Sequence, residues 1–150
     1  TTLQPNLGVV QLSDHRTFVV ADIPGIIEGA AEGRGLGLQF LRHIERTRIL
    51  AMLIPIDAMD WQAEYDQLRV EVAKYSQELA AKPHCVVFTK LDLFGEEYVP
   101  PIEAPGAFAI LSISAANREG LAPLLSTWWS ELLRLKVELA KPDAAAAPLP

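Results

Sequence analysis

The sequence has a single cysteine, no long apolar run and no excess of positive charge, and each absence narrows the range of possible functions. Because Cys85 stands alone, the 150 residues cannot form a disulfide framework, and a reducing compartment such as the cytoplasm suits the chain. No apolar run approaches the roughly 20 residues that a membrane-spanning helix needs. A net charge of −6 and a pI near 5.0 argue against broad electrostatic binding to nucleic acid or to a membrane.

The chain is short and rich in apolar residues, which predicts one domain with a sizeable core. Half of its 150 residues are hydrophobic. Continuous apolar runs are typical of strands buried in a parallel sheet, and apolar residues at helical spacing indicate amphipathic helices. The predicted strands are Leu50–Ile56, His84–Phe88 and Ala107–Ile113, and the predicted helices are Trp61–Lys82 and a last helix that begins within Asn117–Glu119 and reaches Leu139. Strands that alternate with helices predict an α/β fold with a parallel-rich sheet.

Single residues refine these elements. Pro55 lacks the N–H that a central strand needs, so the first of the three strands is expected to end or bulge there. Tyr65, Tyr75 and Trp128 lie on the apolar faces of their helices, which favours a place in the core over a base-stacking surface. Residues 93–106 are rich in proline and glycine and are expected to be mostly irregular.

An antiparallel hairpin is predicted near the start of the chain. Val9–Leu12 and Thr17–Ala21 read as its strands, and the polar stretch Ser13–Arg16 joins them. Residues 1–8 are expected to form a loop because turn-forming residues are frequent there. The hairpin would supply an antiparallel edge to an otherwise parallel sheet.

Asp22 follows the second hairpin strand, and the Pro24-Gly25 turn stops that strand. Open α/β sheets bind their ligands at the carboxyl ends of strands. A carboxylate there can hold a magnesium-bound water beside a phosphate, and the Gly25 N–H can face the terminal phosphate. An ordinary turn begun by an aspartate is the alternative, and these residues alone do not decide between the two.

Further polar stretches follow the later strands in a fixed order. Thr89-Lys90-Leu91-Asp92 comes directly after one strand, and Ser114-Ala115-Ala116 comes directly after the next. Together with Thr1–Val10 and Asp22–Ala30, these stretches resemble the guanine-nucleotide-binding domain of the translation-factor-like GTPases. More narrowly, they resemble the Obg family, also called CgtA-type GTPases. The resemblance covers residues 1 to about 139.

The resemblance implies a P-loop NTPase fold, specifically a Ras-like G domain built as a three-layer α/β sandwich. Residues 1–140 would form a partial G domain that runs from the first switch to the last helix. Residues 141–150 contain four consecutive alanines and three prolines and are expected to be a disordered tail or linker.

The resemblance also implies a site for GTP or GDP together with Mg²⁺. The residues implied to bind GTP are Thr1, Thr2, Asp22, Ile23, Pro24, Gly25, Thr89, Lys90, Leu91, Asp92, Ser114, Ala115 and Ala116. Thr2 would contact Mg²⁺ directly and Asp22 through a water, while a solvated polar N-terminus is the other reading of Thr2. No residue is assigned as catalytic.

Base selection would depend on Asp92, whose carboxylate can accept two parallel N–H bonds from guanine. The stem of Lys90 can lie across the base, and the small residues of Ser114-Ala115-Ala116 allow backbone N–H groups to approach the guanine carbonyl oxygen. Thr89 departs from the usual family pattern, which has asparagine. Guanine selection is expected to survive this change, at a cost of roughly 0.5–1.5 kcal/mol in affinity for the lost hydrogen bond.

Residues 26–38 carry four glycines, which disfavours a stable helix and suits a second switch that must move. A helix is predicted over Leu38–Thr47. The most basic region of the chain consists of Arg34, Arg42, His43, Arg46 and Arg48. These residues form either a solvated helix face or a patch that reports the nucleotide state to a partner. The resemblance implies the large ribosomal subunit as that partner.

The phosphate-binding pattern Gly-x-x-x-x-Gly-Lys-Ser/Thr occurs nowhere in the 150 residues. We expect it upstream of Thr1, together with the first strand and first helix of a G domain truncated at its N-terminus. In the family's sheet that first strand lies between the strands Thr17–Ala21 and Leu50–Ile56. These two strands should therefore either leave a one-strand gap of about 9–10 Å or not pair at all. By itself, the chain should bind GTP poorly and turn over little.

The complete protein is expected to hydrolyse GTP to GDP and phosphate and to act in assembly of the large ribosomal subunit. Ile26 stands where Ras-like enzymes have a water-orienting glutamine, so intrinsic hydrolysis should be slow. A catalytically inactive interaction domain derived from a GTPase is the alternative. A nicotinamide dehydrogenase is rejected because the glycines of Gly33–Gly37 do not directly follow a strand and lack the final glycine of the fingerprint.

Overall fold

The computed structural model describes residues 6–12, 14, 16–22 and 46–140, with the backbone alone at residues 6, 7, 139 and 140. The elements in chain order are β1 (Asn6–Gln11), β2 (Thr17–Asp22), β3 (Leu50–Pro55), α1 (Trp61–Tyr75), α2 (Gln77–Ala80), β4 (His84–Thr89), a 3₁₀ helix (Leu91–Phe94), β5 (Ala107–Ser112) and α3 (Leu121–Ala140). The predictions for Thr1, Thr2, Ile23, Pro24, Gly25, Ile26, the second switch, the basic residues Arg34, Arg42 and His43, and the tail 141–150 lie outside the described residues.

The last three strands form a parallel sheet in the order β3–β4–β5. The central strand β4 pairs with β3 from Leu50–His84 to Pro55–Thr89, and with β5 through pairs such as Val87–Leu111. Five of the six residues of β4 are buried, as its continuous apolar sequence predicts. The α/β class and the parallel pairing predicted from the sequence are confirmed.

Helices cover both faces of this sheet, which confirms the predicted three-layer arrangement. On one face, Ile54 and Phe88 belong to a core cluster that includes Tyr65 and Val72 of α1. On the other face, Cys85, Val87 and Ile113 form a cluster with Leu124, and Trp128 packs against it. Burial of these apolar side chains is the main stabilising term for the domain.

The hairpin β1–β2 is antiparallel, with Asn6 opposite Asp22 and Gln11 opposite Thr17. It forms its own two-stranded sheet, and β2 does not hydrogen-bond to β3. The absence of pairing between these two strands was predicted and is confirmed. The expectation that the hairpin forms an edge of the parallel sheet is wrong for the strands that the structure describes.

Several predicted boundaries differ from the observed ones. β1 begins at Asn6, within the stretch predicted as loop, because residues 6–8 continue the hairpin ladder opposite Asp22–Val20. The helix predicted over Trp61–Lys82 is interrupted at Ser76, whose extended backbone ends α1 and whose hydroxyl caps α2. Arg46 lies in a turn and Thr47 is not helical, so the predicted helix end at Thr47 is wrong.

Other differences concern burial and the last helix. β3 ends at Pro55, as predicted, but Leu53 is 54% exposed, so β3 is not buried on both faces. The last helix begins at Leu121, because Asn117–Gly120 are used in a turn that returns the chain to Ser114. The irregular course predicted for residues 93–106 is largely confirmed, apart from the 3₁₀ turn that includes Leu93 and Phe94.

Candidate functional site

The carboxyl ends of the three parallel strands meet at one edge of the sheet, where backbone hydrogen bonds join the loops that follow them. The Ile56 N–H donates to the Thr89 carbonyl at 2.9 Å, and the Leu91 N–H donates to the Ile113 carbonyl at 2.9 Å. The Ile113 N–H in turn donates to the Phe88 carbonyl at 2.8 Å. The stretches that the sequence analysis singled out after β4 and β5 are therefore fixed beside each other.

The loop after β4 turns sharply at Lys90, whose φ of 65° lies in the left-handed region. Such a conformation is uncommon for a residue with a side chain and costs about 1 kcal/mol or more. Leu91 anchors the loop, being only 3% exposed, and begins the 3₁₀ helix. This geometry leaves the Lys90 and Asp92 side chains exposed at the edge of the sheet.

Ser114 connects the two loops. It is fully buried, and its hydroxyl donates to Asp92 Oδ1 at 2.8 Å. The Ser114 hydroxyl oxygen also accepts a hydrogen bond from the Asn117 N–H at 3.1 Å. Because a serine hydroxyl has one donor and two acceptor positions, this pattern fixes its direction and orients the Asp92 carboxylate.

A tight turn presents Ala115 and Ala116 at the surface beside Asp92. The Ser114 N–H donates to the Glu119 carbonyl at 3.0 Å and closes the turn. Gly120 follows with a φ of +76°, and a Cβ at that position would lie 2.5 Å from the Ser112 carbonyl oxygen, so the turn requires glycine there. Within the described part of the chain, the N–H groups of Ala115 and Ala116 make no hydrogen bond, so they can donate to a ligand.

Asp22 is the last residue of β2, lies opposite Asn6 and is exposed. Among the described residues, no group of three or more His, Cys, Asp or Glu side chains could hold a metal ion. A single exposed carboxylate still fits Mg²⁺, because this ion usually keeps several waters and takes one or two carboxylates together with substrate phosphates.

The buried ionisable residues lie away from this edge. The Tyr65 hydroxyl is 2.7 Å from His84 Nε2, and the two rings stack with centroids 5.9 Å apart. His84 is the first residue of β4, at the opposite end from Thr89. Burial lowers the pKa of His84, and the charge of Arg69 lowers it further. Burial also raises the pKa of the Cys85 thiol.

Of the predicted site residues, the structure brings together Thr89, Lys90, Leu91 and Asp92 with Ser114, Ala115 and Ala116. Asp22 lies in the separate hairpin sheet, and the remaining predicted residues are outside the described ranges. Sequence reasoning missed Asn117, Glu119 and Gly120 as parts of the turn that holds Ser114. The signal was present, since asparagine and glycine three residues apart before an apolar helix indicate a turn.

Within the described residues, no helix is long and apolar enough to cross a membrane.

Comparison with known proteins adds an independent observation. Residues 1–90 match the family model described as 50S ribosome-binding GTPase. GTPase Obg of Pelodictyon phaeoclathratiforme is 53% identical over 132 residues, which cover 88% of this chain and 39% of the relative. GTPase Obg of Chlorobium phaeovibrioides is 46% identical over 143 residues, which cover 95% of this chain and 42% of the relative.

A further relative, GTPase Obg of Chloroherpeton thalassium, is 50% identical over 129 residues, which cover 86% of this chain and 39% of the relative. The chain therefore spans about two fifths of the length of the curated relatives that it matches.

Proposed function

Because the chain belongs to the 50S ribosome-binding GTPase family and is an Obg-type GTPase domain, we propose that its protein binds guanine nucleotides and hydrolyses GTP to GDP and phosphate. The observation that carries this proposal is the hydrogen bond of 2.8 Å between the buried Ser114 hydroxyl and Asp92 Oδ1. It holds an exposed carboxylate in one orientation, next to the turn at Ala115 and Ala116.

This arrangement suits the Watson–Crick edge of guanine. The two Asp92 oxygens accept the ring N–H and one amino N–H, while a backbone N–H of Ala115 or Ala116 donates to the carbonyl oxygen at position 6. Adenine presents a ring nitrogen acceptor where guanine has its N–H, so it would face the carboxylate with like polarity. The aliphatic stem of Lys90 covers the base.

On the phosphate side, the proposed groups are Thr1, Thr2 and the segment Asp22–Gly25. Asp22 would hold Mg²⁺ through a water, Thr2 would contact the ion directly, and the backbone of Ile23, Pro24 and Gly25 would lie at the terminal phosphate. When bound, Mg²⁺ supplies positive charge that neutralises the phosphate oxygens. The Gly25 N–H would position the terminal phosphate. Loss of that phosphate on hydrolysis would release the segment Asp22–Gly25.

We place the protein in the cytoplasm and propose the large ribosomal subunit as its partner, in assembly of that subunit. The support is the description of the matching family as ribosome-binding, together with the basic residues Arg42, His43 and Arg46 that follow the second switch in sequence. Positive charge that follows a nucleotide-dependent switch would suit contact with ribosomal RNA.

The test is the substitution Asp92→Asn in the full-length protein, with affinities for GTP, ATP and xanthosine triphosphate measured by equilibrium titration. The native protein should prefer GTP over ATP at least about 100-fold, because two charge-assisted hydrogen bonds distinguish them. Asp92→Asn should lower the GTP affinity about 100-fold and favour xanthosine triphosphate, because xanthine has a carbonyl where guanine has its amino group.

Asp57→Asn is the matched control, since Asp57 is an exposed aspartate directly beyond β3 at the same edge of the sheet. It should change none of the three affinities. Equal binding of GTP and ATP by the native protein, or an unchanged preference in Asp92→Asn, would overturn the proposed base site. Tight GTP binding without phosphate release would instead favour the non-catalytic interaction domain. Thr89 supports that alternative, because the usual family pattern has asparagine at this position.

A further inference from the structure

Next to the base site lies an exposed apolar surface, which we call the Phe94–Tyr98 patch and define as Leu93, Phe94, Tyr98 and Val99. These side chains are 56%, 41%, 36% and 45% exposed, respectively. Leu93 and Phe94 belong to the same 3₁₀ helix as Asp92. Single exposed apolar residues are ordinary, but four within seven consecutive residues, two of them aromatic, indicate an interaction surface.

The aromatic rings of the patch are held in place from below. Phe94 and Tyr98 stack with centroids 5.3 Å apart and an interplanar angle of 23°. The ring centroids of Tyr98 and Trp61 are 6.1 Å apart, and those of Trp61 and the fully buried Phe88 are 6.4 Å apart. Trp61 is itself fixed, because its Nε1–H donates to the Ile56 carbonyl at 2.8 Å. A partner would therefore meet aromatic groups that are already ordered, which lowers the entropic cost of binding.

The surroundings of the patch are acidic. Residues 91–117 contain four carboxylates and no Lys, Arg or His; the carboxylates are Asp92, Glu96, Glu97 and Glu103. Glu96 and Glu97 stand between the two aromatic residues in sequence and are exposed. The helix that contacts Tyr98 through Trp61 adds Asp60 at its N-cap and Glu64 in its first turn. Lys90 is the nearest cation in sequence and precedes the whole segment.

We propose that the Phe94–Tyr98 patch docks a protein segment that carries an aromatic or aliphatic anchor flanked by Lys or Arg. The anchor packs on the Phe94 and Tyr98 rings, and the basic residues face Glu96 and Glu97. Aromatic side chains dominate the energies of such contacts, while charges at the rim supply specificity and speed of association. RNA is disfavoured because its phosphates would meet the carboxylates, and a second copy because two acidic rims would repel each other.

The experiment selects peptides from a phage-displayed library of random 12-residue sequences on the full-length protein and measures their affinities by fluorescence anisotropy. The selected peptides should combine an aromatic or aliphatic residue with at least two Lys or Arg. The double variant Phe94→Ser/Tyr98→Ser should weaken their binding at least about tenfold, as expected for the loss of two aromatic contacts. Glu96→Lys/Glu97→Lys should weaken it about threefold or more, and less so at high salt.

Two matched controls define the background. Val70→Ser/Val137→Ser removes apolar side chains that are 51% and 54% exposed on the surfaces of α1 and α3. Glu78→Lys/Glu138→Lys makes the same change in charge at exposed positions of α2 and α3. Neither should change peptide affinity more than about twofold.

Four outcomes would overturn the proposal. The selection could return no peptides above background, or peptides without basic residues. The affinities of the selected peptides could be unchanged in Phe94→Ser/Tyr98→Ser. A fluorescent 20-nucleotide RNA could bind in a manner that requires Phe94 and Tyr98. Sedimentation could show self-association that the same double variant abolishes. Because the substituted side chains are exposed, unchanged circular dichroism is expected for each variant and is measured alongside.

Discussion

The loops at the carboxyl edge of the parallel sheet and the β1–β2 hairpin are held in contrasting ways. The loops are tied by backbone hydrogen bonds to the strands and by the buried groups Leu91 and Ser114. The residues of β2 are only exposed or half-buried. Its ring contacts are those of Phe18 with Trp128 and Trp129, each at 6.4 Å between centroids.

This difference separates two tasks of the proposed site. A base reader gains from carboxylate and amide groups fixed before the ligand arrives, because no reorganisation is then needed. A phosphate sensor at Asp22 must respond to the loss of one phosphate, which requires an element with few buried contacts. The helix α3 connects the hairpin to the body of the parallel sheet, since Trp128 contacts Phe18 and donates from Nε1 to Cys85 Sγ of β4 at 3.3 Å.

The largest effect is expected from Gly120→Ala, which disturbs the turn after β5 at the carboxyl edge of the parallel sheet. Its Cβ would lie 2.5 Å from the Ser112 carbonyl oxygen, and its φ of +76° is unfavourable for alanine. We expect a loss of about 3 kcal/mol in the free energy of unfolding, from strain and displaced backbone together. Urea denaturation of the chain measures this.

Gly95→Ala is the matched control, because its φ of +74° is similar but no atom lies within 4 Å of the added Cβ. It should cost only about 1 kcal/mol, the strain alone. Equal losses in the free energy of unfolding for the two variants would show that the turn at Gly120 adjusts to the added methyl group. The loops at the carboxyl edge would then be less rigid, relative to the hairpin, than we infer.

The next effect concerns the hairpin. Phe18→Ala removes the ring that meets both tryptophans and should cost about 2 kcal/mol, because the ring is half-buried and makes two aromatic contacts. Hydrogen exchange should accelerate at the amides of β1 and β2 while the amides of β4 keep their protection. Val19→Ala, at a residue 62% exposed on the same strand, should change neither. Equal acceleration in β4 would contradict the weak attachment of the hairpin.

Much of the fold could be predicted because local sequence patterns determine it. Continuous apolar runs locate β3, β4 and β5, and the order of strands and helices predicts parallel pairing. The sequence placed Asp92 after one predicted strand and Ser114 after the next, and in the structure the Ser114 hydroxyl donates to Asp92 Oδ1 at 2.8 Å.

The rest depends on contacts that periodicity does not encode. The apolar stripe continues through Leu79, which hid the break at Ser76, where the side-chain Oγ accepts the Leu79 N–H at 3.0 Å. Glu131 is only 9% exposed, and Arg134 pairs with its carboxylate, at 2.5 Å for the closer contact. Glutamate is rarely buried unless it is paired, so local sequence does not indicate this position as buried. The hydrogen bond between Ser114 and Asp92 joins residues 22 apart in sequence, so no local sequence pattern predicts it.

Ser114→Ala tests how strongly that bond orders the site, with a smaller effect than the previous two. It removes one hydrogen bond to a carboxylate and one from the Asn117 N–H, so we expect a loss of about 1.5 kcal/mol in stability and about tenfold in GDP affinity. Ser112→Ala is the control, because the buried Ser112 Oγ has no hydrogen-bond partner among the described residues and should be dispensable. If both substitutions lower the GDP affinity equally, the inference that Ser114 orients the Asp92 carboxylate is wrong.

The smallest effect is a pH dependence of stability that belongs to the core of the parallel sheet. Burial, aided by the charge of Arg69, holds the pKa of His84 below its ordinary value of 6.5, whereas the unfolded chain keeps that ordinary value. Between the folded and unfolded pKa values, the unfolded chain binds more protons. The free energy of unfolding therefore rises with pH across this window and falls as the medium is acidified below about 6.5.

The variant His84→Gln isolates this contribution, because glutamine keeps a polar partner for the Tyr65 hydroxyl and does not titrate. The difference between the native chain and His84→Gln, measured by urea denaturation from pH 8 to pH 5, should depend on pH, with the native chain losing more stability on acidification. Hydrogen exchange should follow the same trend in β4 but not in β1 and β2. A parallel loss in both proteins would mean that His84 tolerates protonation where it lies, and the parallel sheet would then be less rigid around Tyr65 than its burial implies.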